Sequence, residues 1–262
     1  MKQRTITAVL ALLVFVPIII MGGMPFTIFI YLLATIGLIE LIRMRPPEKH
    51  FLPYVLSALL TWVVLLPDAV FTDITWFTKY ELISILIFVL LAYTVLVQNA
   101  FTFDQVGFVI LAAFYVGLGF FYLLETRDGD NALRNILFAF FIIWATDTGA
   151  YLFGRKLGKR KLLPAISPKK TVEGALGGIF VAVVVAVIFH LITPFEQSLL
   201  TVMMVTVIAS CVGQIGDLVE SAFKRIYNVK DSGKILPGHG GILDRFDSML
   251  FVFPLLHFIH FF

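Results

Sequence analysis

Long apolar blocks run through the chain, separated by short polar segments. Nine can be marked, at about 5–22, 25–42, 51–67, 81–98, 106–124, 133–153, 172–193, 198–219 and 244–262. Each approaches the roughly 20 apolar residues that a helix needs to cross the hydrocarbon core of a bilayer. Several contain Gly or Pro, which membrane helices tolerate when neighbours satisfy the freed backbone groups. The pattern predicts an all-α, polytopic integral membrane protein of about nine transmembrane helices. It reads as one membrane domain, 1–262, with an N-terminal helical part (1–130) and a C-terminal part (131–262) that holds the candidate chemistry. Residues 68–80, with Asp68, Asp73 and Trp76, read as a short interfacial loop. No internal repeat, low-complexity tract or soluble linker stands out.

Composition supports the membrane reading. Hydrophobic residues make up 60% of the chain and charged residues 14%, against about 45–50% and about 25% in soluble domains. Mean hydropathy is +0.97. So little charge could not cover an aqueous surface. The basic residues set the orientation. With the N-terminus in the cytoplasm, every Lys and Arg falls on the cytoplasmic side except Lys79, Arg127 and Arg134. Nine spans then place the C-terminus outside. The net charge of +3 therefore reflects membrane-flanking loops, and no stacking platform or helix-turn-helix pattern points to nucleic acid. Lys2 and Arg4 precede the first block as in a leader, but no small-x-small cleavage site follows, so an uncleaved first span is expected. The single cysteine, Cys211, excludes an intramolecular disulfide framework and is expected to be a buried bystander.

Polar residues in or beside spans are costly and are functional candidates by default. They concentrate in the C-terminal half. Asp147 interrupts an apolar stretch, Asp217 and Glu220 end the eighth block, and Asp244 and Asp247 open the ninth. Helical spacing puts Asp217, Glu220, Ser221 and Lys224 on one stripe, and Asp244, Asp247 and Ser248 on another. If the two helix ends meet, carboxylates converge, and oxygen ligands of this kind suit Mg²⁺ with substrate phosphates. The loop between them supplies the opposite charge: Lys224, Arg225, Lys230, Lys234, His239 and Arg245, interleaved with Gly233, Gly238, Gly240 and Gly241. Ser167-Pro168-Lys169-Lys170-Thr171 adds two lysines before the seventh block. Carboxylates for metal beside cations and amides for phosphate describe phosphoryl or nucleotidyl transfer. Neither a P-loop nor a G-x-G-x-x-G is present. Bland roles compete at each position: helix packing for Asp147 and Gly177-Gly178, topogenic charge for the Lys/Arg runs, and non-catalytic roles for His190, His257 and His260.

The run Ser221-Ala222-Phe223-Lys224-Arg225, then Lys230-Asp231-Ser232-Gly233, then Leu236-Pro237-Gly238-His239-Gly240-Gly241-Ile242-Leu243-Asp244-Arg245-Phe246-Asp247 resembles the signature of the phosphatidate cytidylyltransferases. Asp147-Thr148-Gly149-Ala150-Tyr151 and Ser167 to Gly174 look like the same family, so the motif-level resemblance covers about 144–248. It implies that CMP passes from CTP to phosphatidic acid, giving CDP-diacylglycerol and pyrophosphate, in an inner-membrane homodimer with a cytoplasmic active site. It further implies Mg²⁺, with a monovalent cation such as K⁺, held near Asp217 and Asp244. The lipid phosphate is already anionic and can attack the α-phosphorus without a dedicated general base. Lys169, Lys170, Lys224, Arg225, Lys230, His239 and Arg245, with Gly240 and Gly241, are then expected on the phosphates. Asp247 is expected to ligate metal or orient Arg245, with Asp147 and Ser221 secondary. Alternatives are another CTP-dependent lipid enzyme, such as a polyprenol kinase or an archaeal-lipid cytidylyltransferase, and a secondary transporter coupled through Asp147, Asp217 and Asp244.

Overall fold

Backbone amides and carbonyls in hydrocarbon must find partners within the chain, and a helix supplies them inside each segment. A computed structural model describes residues 2–46, 50–71, 76–129 and 131–262, with side chains from residue 6 onward. The side chains of Lys2 and Arg4, and Lys49 and Asp73 entirely, lie outside the described residues. The elements run α1 (Lys2–Met21), α2 (Gly23–Arg43), α3 (Leu52–Leu65), α4 (Lys79–Leu96), α5 (Phe103–Arg127), α6 (Ala132–Leu157), β1 (Lys161–Leu163), β2 (Ser167–Thr171), α7 (Val172–Ile192), α8 (Leu199–Ile226), α9 (Leu243–Phe246) and α10 (Met249–Phe258). Six of them, α2 and α4 to α8, are long and apolar enough to cross a membrane; Ile6–Met21, α3 and α10 are shorter apolar helices. The chain is an all-α polytopic membrane protein.

Two features depart from the expected nine uninterrupted helices. Residues 161–171 form an antiparallel hairpin, β1 with β2, that hydropathy gave no reason to expect. The ninth apolar block is split into α9 and α10. Asp247 Oδ1 accepts the Ser248 amide at 2.7 Å, a local bond that competes with helix continuation. At ten residues, α10 is about 15 Å long, half the thickness of a hydrocarbon core.

The chain divides into two compact units. One comprises Met1–Glu125 and Ser232–Leu243, the other Thr126–Asp231 and Asp244–Phe262. In the first, α2 buries Phe26, Ile30, Leu33, Ala34, Leu38 and Leu41 along one face. Helices α3 and α5 approach closely at Gly117, where a Cβ would meet Val64 Cγ1 at 2.9 Å. Thr78 and Glu81 close a capping box on α4.

The second unit is built on the α6–α7 pair. Gly174 and Gly178 on α7 form a G-x-x-x-G notch against α6, with Gly149 and Gly154 opposite. A Cβ at Gly178 would meet the Thr146 carbonyl at 2.7 Å, and one at Gly149 the Gly177 carbonyl at 2.9 Å. Small residues let membrane helices pack backbone to backbone, which is the role expected of Gly177-Gly178. Helix α8 uses Gly216 similarly, where a Cβ would meet the Asp247 carbonyl at 2.6 Å. Cys211, expected to be buried, is exposed on α8. Lipid is as apolar as a protein core, so an apolar run does not say which face turns inward. His190 and His257 have structural partners: Nδ1 of His190 accepts the Phe195 amide at 3.2 Å, and Nε2 of His257 lies 2.8 Å from Thr126 Oγ1.

Gly178→Ala is expected to destabilise the protein by about 1–3 kcal/mol through overpacking, lowering its thermal unfolding midpoint in detergent. Gly107→Ala, where an added Cβ meets nothing within 4 Å, is the matched control and should leave the midpoint unchanged or raise it slightly.

Candidate active site

A cavity of about 380 Å³ opens within the second unit, a size typical of small-molecule sites. Four elements build its wall. Helix α6 contributes Asp147, Tyr151 and Arg155, the hairpin Lys169 and Lys170, α7 Gly174 and Ala175, and α8 Gln214 and Asp217. The α6–α7 notch brings these elements close, and three local devices hold the hairpin. Thr171 caps α7, its Oγ1 accepting the Gly174 amide at 3.1 Å. Glu173 accepts the backbone amides of Lys159 at 3.0 Å and Arg160 at 3.2 Å. Arg225 Nε donates to the Ile166 carbonyl at 3.0 Å, fixing the hairpin turn.

Charges inside this unit are paired in series. Lys170 Nζ meets Asp217 Oδ2 at 2.7 Å, and Asp217 Oδ1 accepts from Ser221 Oγ at 3.3 Å. One helical turn on, Lys224 Nζ lies 2.7 Å from Glu220 Oε2 and 2.6 Å from Asp244 Oδ1. This triad is deeply buried, with the Glu220 side chain 0% and the Asp244 side chain 6% exposed. Glu220 Oε1 has no hydrogen-bond partner among the described residues, and the Asp247 carboxyl lies close by. Two carboxylates cannot bond to each other unless a proton or cation sits between them.

The predicted stripe Asp217, Glu220, Ser221 and Lys224 is therefore real, and it meets Asp244 as expected. Asp147, Lys169, Lys170 and Asp217 share one cavity. Lys224 is turned onto two carboxylates, Glu220 and Asp244, and its ammonium offsets part of the cost of burying them. Arg225 spends one donor on the hairpin, while Lys230 and Arg245 are exposed. The regular stripe expected of Asp244, Asp247 and Ser248 is interrupted by the α9–α10 break. His239, Gly240 and Gly241 belong to the first unit, where residues 236–240 fold into a tight turn.

A sequence model of the cytidylyltransferase family matches residues 2–262. The chain belongs to that family. It is 51% identical over 261 residues to the phosphatidate cytidylyltransferase of Bacillus subtilis (strain 168), covering 99% of this chain and 97% of that protein. The phosphatidate cytidylyltransferases of Staphylococcus saprophyticus and Staphylococcus haemolyticus are 48% and 47% identical over 261 residues, each alignment covering 99% of this chain and 98% of the relative. The cavity of this chain is lined by Lys169, Lys170 and Arg155, cations suited to a polyanionic substrate.

The sequence reading assigned no site role to four residues. Gln214, Tyr151 and Arg155 line the cavity, and the tertiary arrangement brings them there. Glu40 is different: it is 4% exposed on α2, and a lone carboxylate inside Ile39-Glu40-Leu41-Ile42 was a visible signal.

Lys224→Met would remove the ammonium that meets both Glu220 and Asp244 in the buried triad. The expected cost is about 3–5 kcal/mol, read as a lowered thermal midpoint in detergent. Adding Glu220→Gln to that variant should recover part of the loss.

Proposed function

We infer that this protein transfers CMP from CTP to phosphatidic acid, producing CDP-diacylglycerol and pyrophosphate for phospholipid synthesis. The observation that carries this reading is the Lys170–Asp217 pair in a cation-lined cavity on membrane helices, in a chain related along its whole length to phosphatidate cytidylyltransferases. A phosphatidate oxygen attacks the α-phosphorus of CTP, the bond from that phosphorus to the bridging β-phosphate oxygen breaks, and pyrophosphate leaves with the electron pair. Lipid phosphate and nucleotide repel in water, so the protein's main task is to hold two polyanions together. Lys169, Lys170 and Arg155 neutralise phosphate charge at the cavity, with Arg225, Lys230, Arg245 and the His239-Gly240-Gly241 segment as further phosphate contacts. Lys224 keeps Glu220 and Asp244 in place.

The carboxylates of Asp217 and Asp244, with Asp247 nearby, are hard oxygen donors that fit Mg²⁺, and Oε1 of Glu220 has no hydrogen-bond partner among the described residues. When bound, Mg²⁺ would neutralise charge on the departing pyrophosphate. K⁺ is the proposed second cation. Among the described residues no cluster of three or more His, Cys, Asp or Glu is arranged to hold a metal, so substrate phosphates would complete the coordination. The enzyme is placed in the cell's inner (plasma) membrane as a homodimer, with the loops after α6 and α8 facing the cytoplasm. The basic residues of those loops support that orientation.

The test is an assay of detergent-solubilised protein with labelled CTP, phosphatidic acid and Mg²⁺. Labelled CDP-diacylglycerol and pyrophosphate should form in equal amounts, and EDTA should abolish both. Asp217→Asn, Asp244→Asn and Lys170→Met should each lower kcat/KM by roughly 10²-fold or more. Folded wild-type protein that yields no product with any of several lipids, with and without K⁺, would overturn the reading.

A further inference from the structure

Glu40 sits three residues before the end of α2. A carboxylate there faces the negative end of the helix dipole and is removed from water, so the position is costly unless other bonds offset it. They come from residues 232–243. Glu40 Oε1 accepts the Ile242 amide at 3.0 Å, and Oε2 accepts the Leu243 amide at 2.9 Å and the Ser232 hydroxyl at 3.2 Å. Both ends of this loop are thus tied to one carboxylate. Gly233 and Gly241 flank it so tightly that a Cβ at either position would run into the Glu40 carboxyl.

Between those anchors the backbone is fixed independently. The His239 amide donates to the Leu236 carbonyl at 2.8 Å across Pro237-Gly238, and Gly238 has φ of 79°. Pro followed by a positive-φ Gly is the requirement of a type II turn. The Leu236 amide donates to the Gly240 carbonyl at 3.0 Å, and Thr7 Oγ1 on α1 donates to the Pro237 carbonyl at 3.0 Å. These bonds constrain the backbone that carries His239, Gly240 and Gly241.

We propose that Glu40 is a positioning residue for the reaction: it holds the 232–243 loop in the shape that contacts the CTP phosphates. This rests on the functional reading above, in which that loop takes part. It does not rest on Glu40 touching substrate. Loss of a positioning group raises KM for the ligand whose contacts are misplaced, whereas loss of folded enzyme lowers kcat and leaves KM alone.

The test compares wild type with Glu40→Ala, Glu40→Gln, Ser232→Ala and Thr7→Val in the CTP and phosphatidic acid assay, alongside thermal unfolding. Glu40→Ala is expected to raise KM for CTP about tenfold and to lower kcat/KM about 10²-fold. Glu40→Gln, which keeps one acceptor oxygen, should recover part of that, and Ser232→Ala and Thr7→Val should each raise KM by a smaller factor. Unchanged KM in the folded members of this set overturns the proposal. Amide hydrogen exchange over 232–243, read without substrate, supplies a second measure. Glu40→Ala should lose protection at Ile242 and Leu243, or, where it does not fold, Ser232→Ala should do so; unchanged protection overturns the proposal. If wild type itself turns over no CTP, the functional reading fails, while the exchange result still decides whether Glu40 sets the loop.

Discussion

A charge in a low-dielectric interior persists only with a partner, and this constraint organises both units of the protein. In one, a carboxylate on a span is met by two backbone amides and a hydroxyl. In the other, Lys170 pairs with Asp217 and Lys224 is set between Glu220 and Asp244. Removing one partner of such a pair costs more than an apolar swap of equal volume, because the other stays buried with less compensation.

The pairings also prepare the candidate site for its chemistry. Lys170 reaches Asp217 from the hairpin, so its ammonium is already oriented at the cavity wall. Lys224, by contrast, is committed to Glu220 and Asp244 and holds the carboxylate group together. Two lysines that look alike in sequence therefore perform different work, and burial separates them: Lys170 keeps 27% of its side chain exposed, Lys224 11%. The glycine notches on α6, α7 and α8 serve the same end, since helix axes held far apart could not bring α6, α7, α8 and the hairpin around one cavity.

Much of this was legible in the amino-acid order. Apolar blocks located the helices because a spanning segment has to be both long and apolar. The carboxylate and lysine spacings on α8 followed from 3.6 residues per turn, and the signature from Ser221 to Asp247 pointed to nucleotidyl transfer. Less legible was the fate of the ninth block, where one side-chain bond at Asp247 outweighed an apolar run. The β1–β2 hairpin was hidden too, because a short, charged, Pro-containing segment carries no periodic signal.

The sequence by itself determined the class of protein, the family and most of the residues that carry charge to the candidate site, since hydropathy and motif spacing are properties of the chain in one dimension. Only the tertiary structure decided which charges pair. Asp244 lies 20 positions from Lys224, Asp217 lies 47 from Lys170, and the Leu243 amide lies 203 from Glu40. Such partners are chosen by how helices cross and where glycines let them touch, and no local pattern encodes that choice.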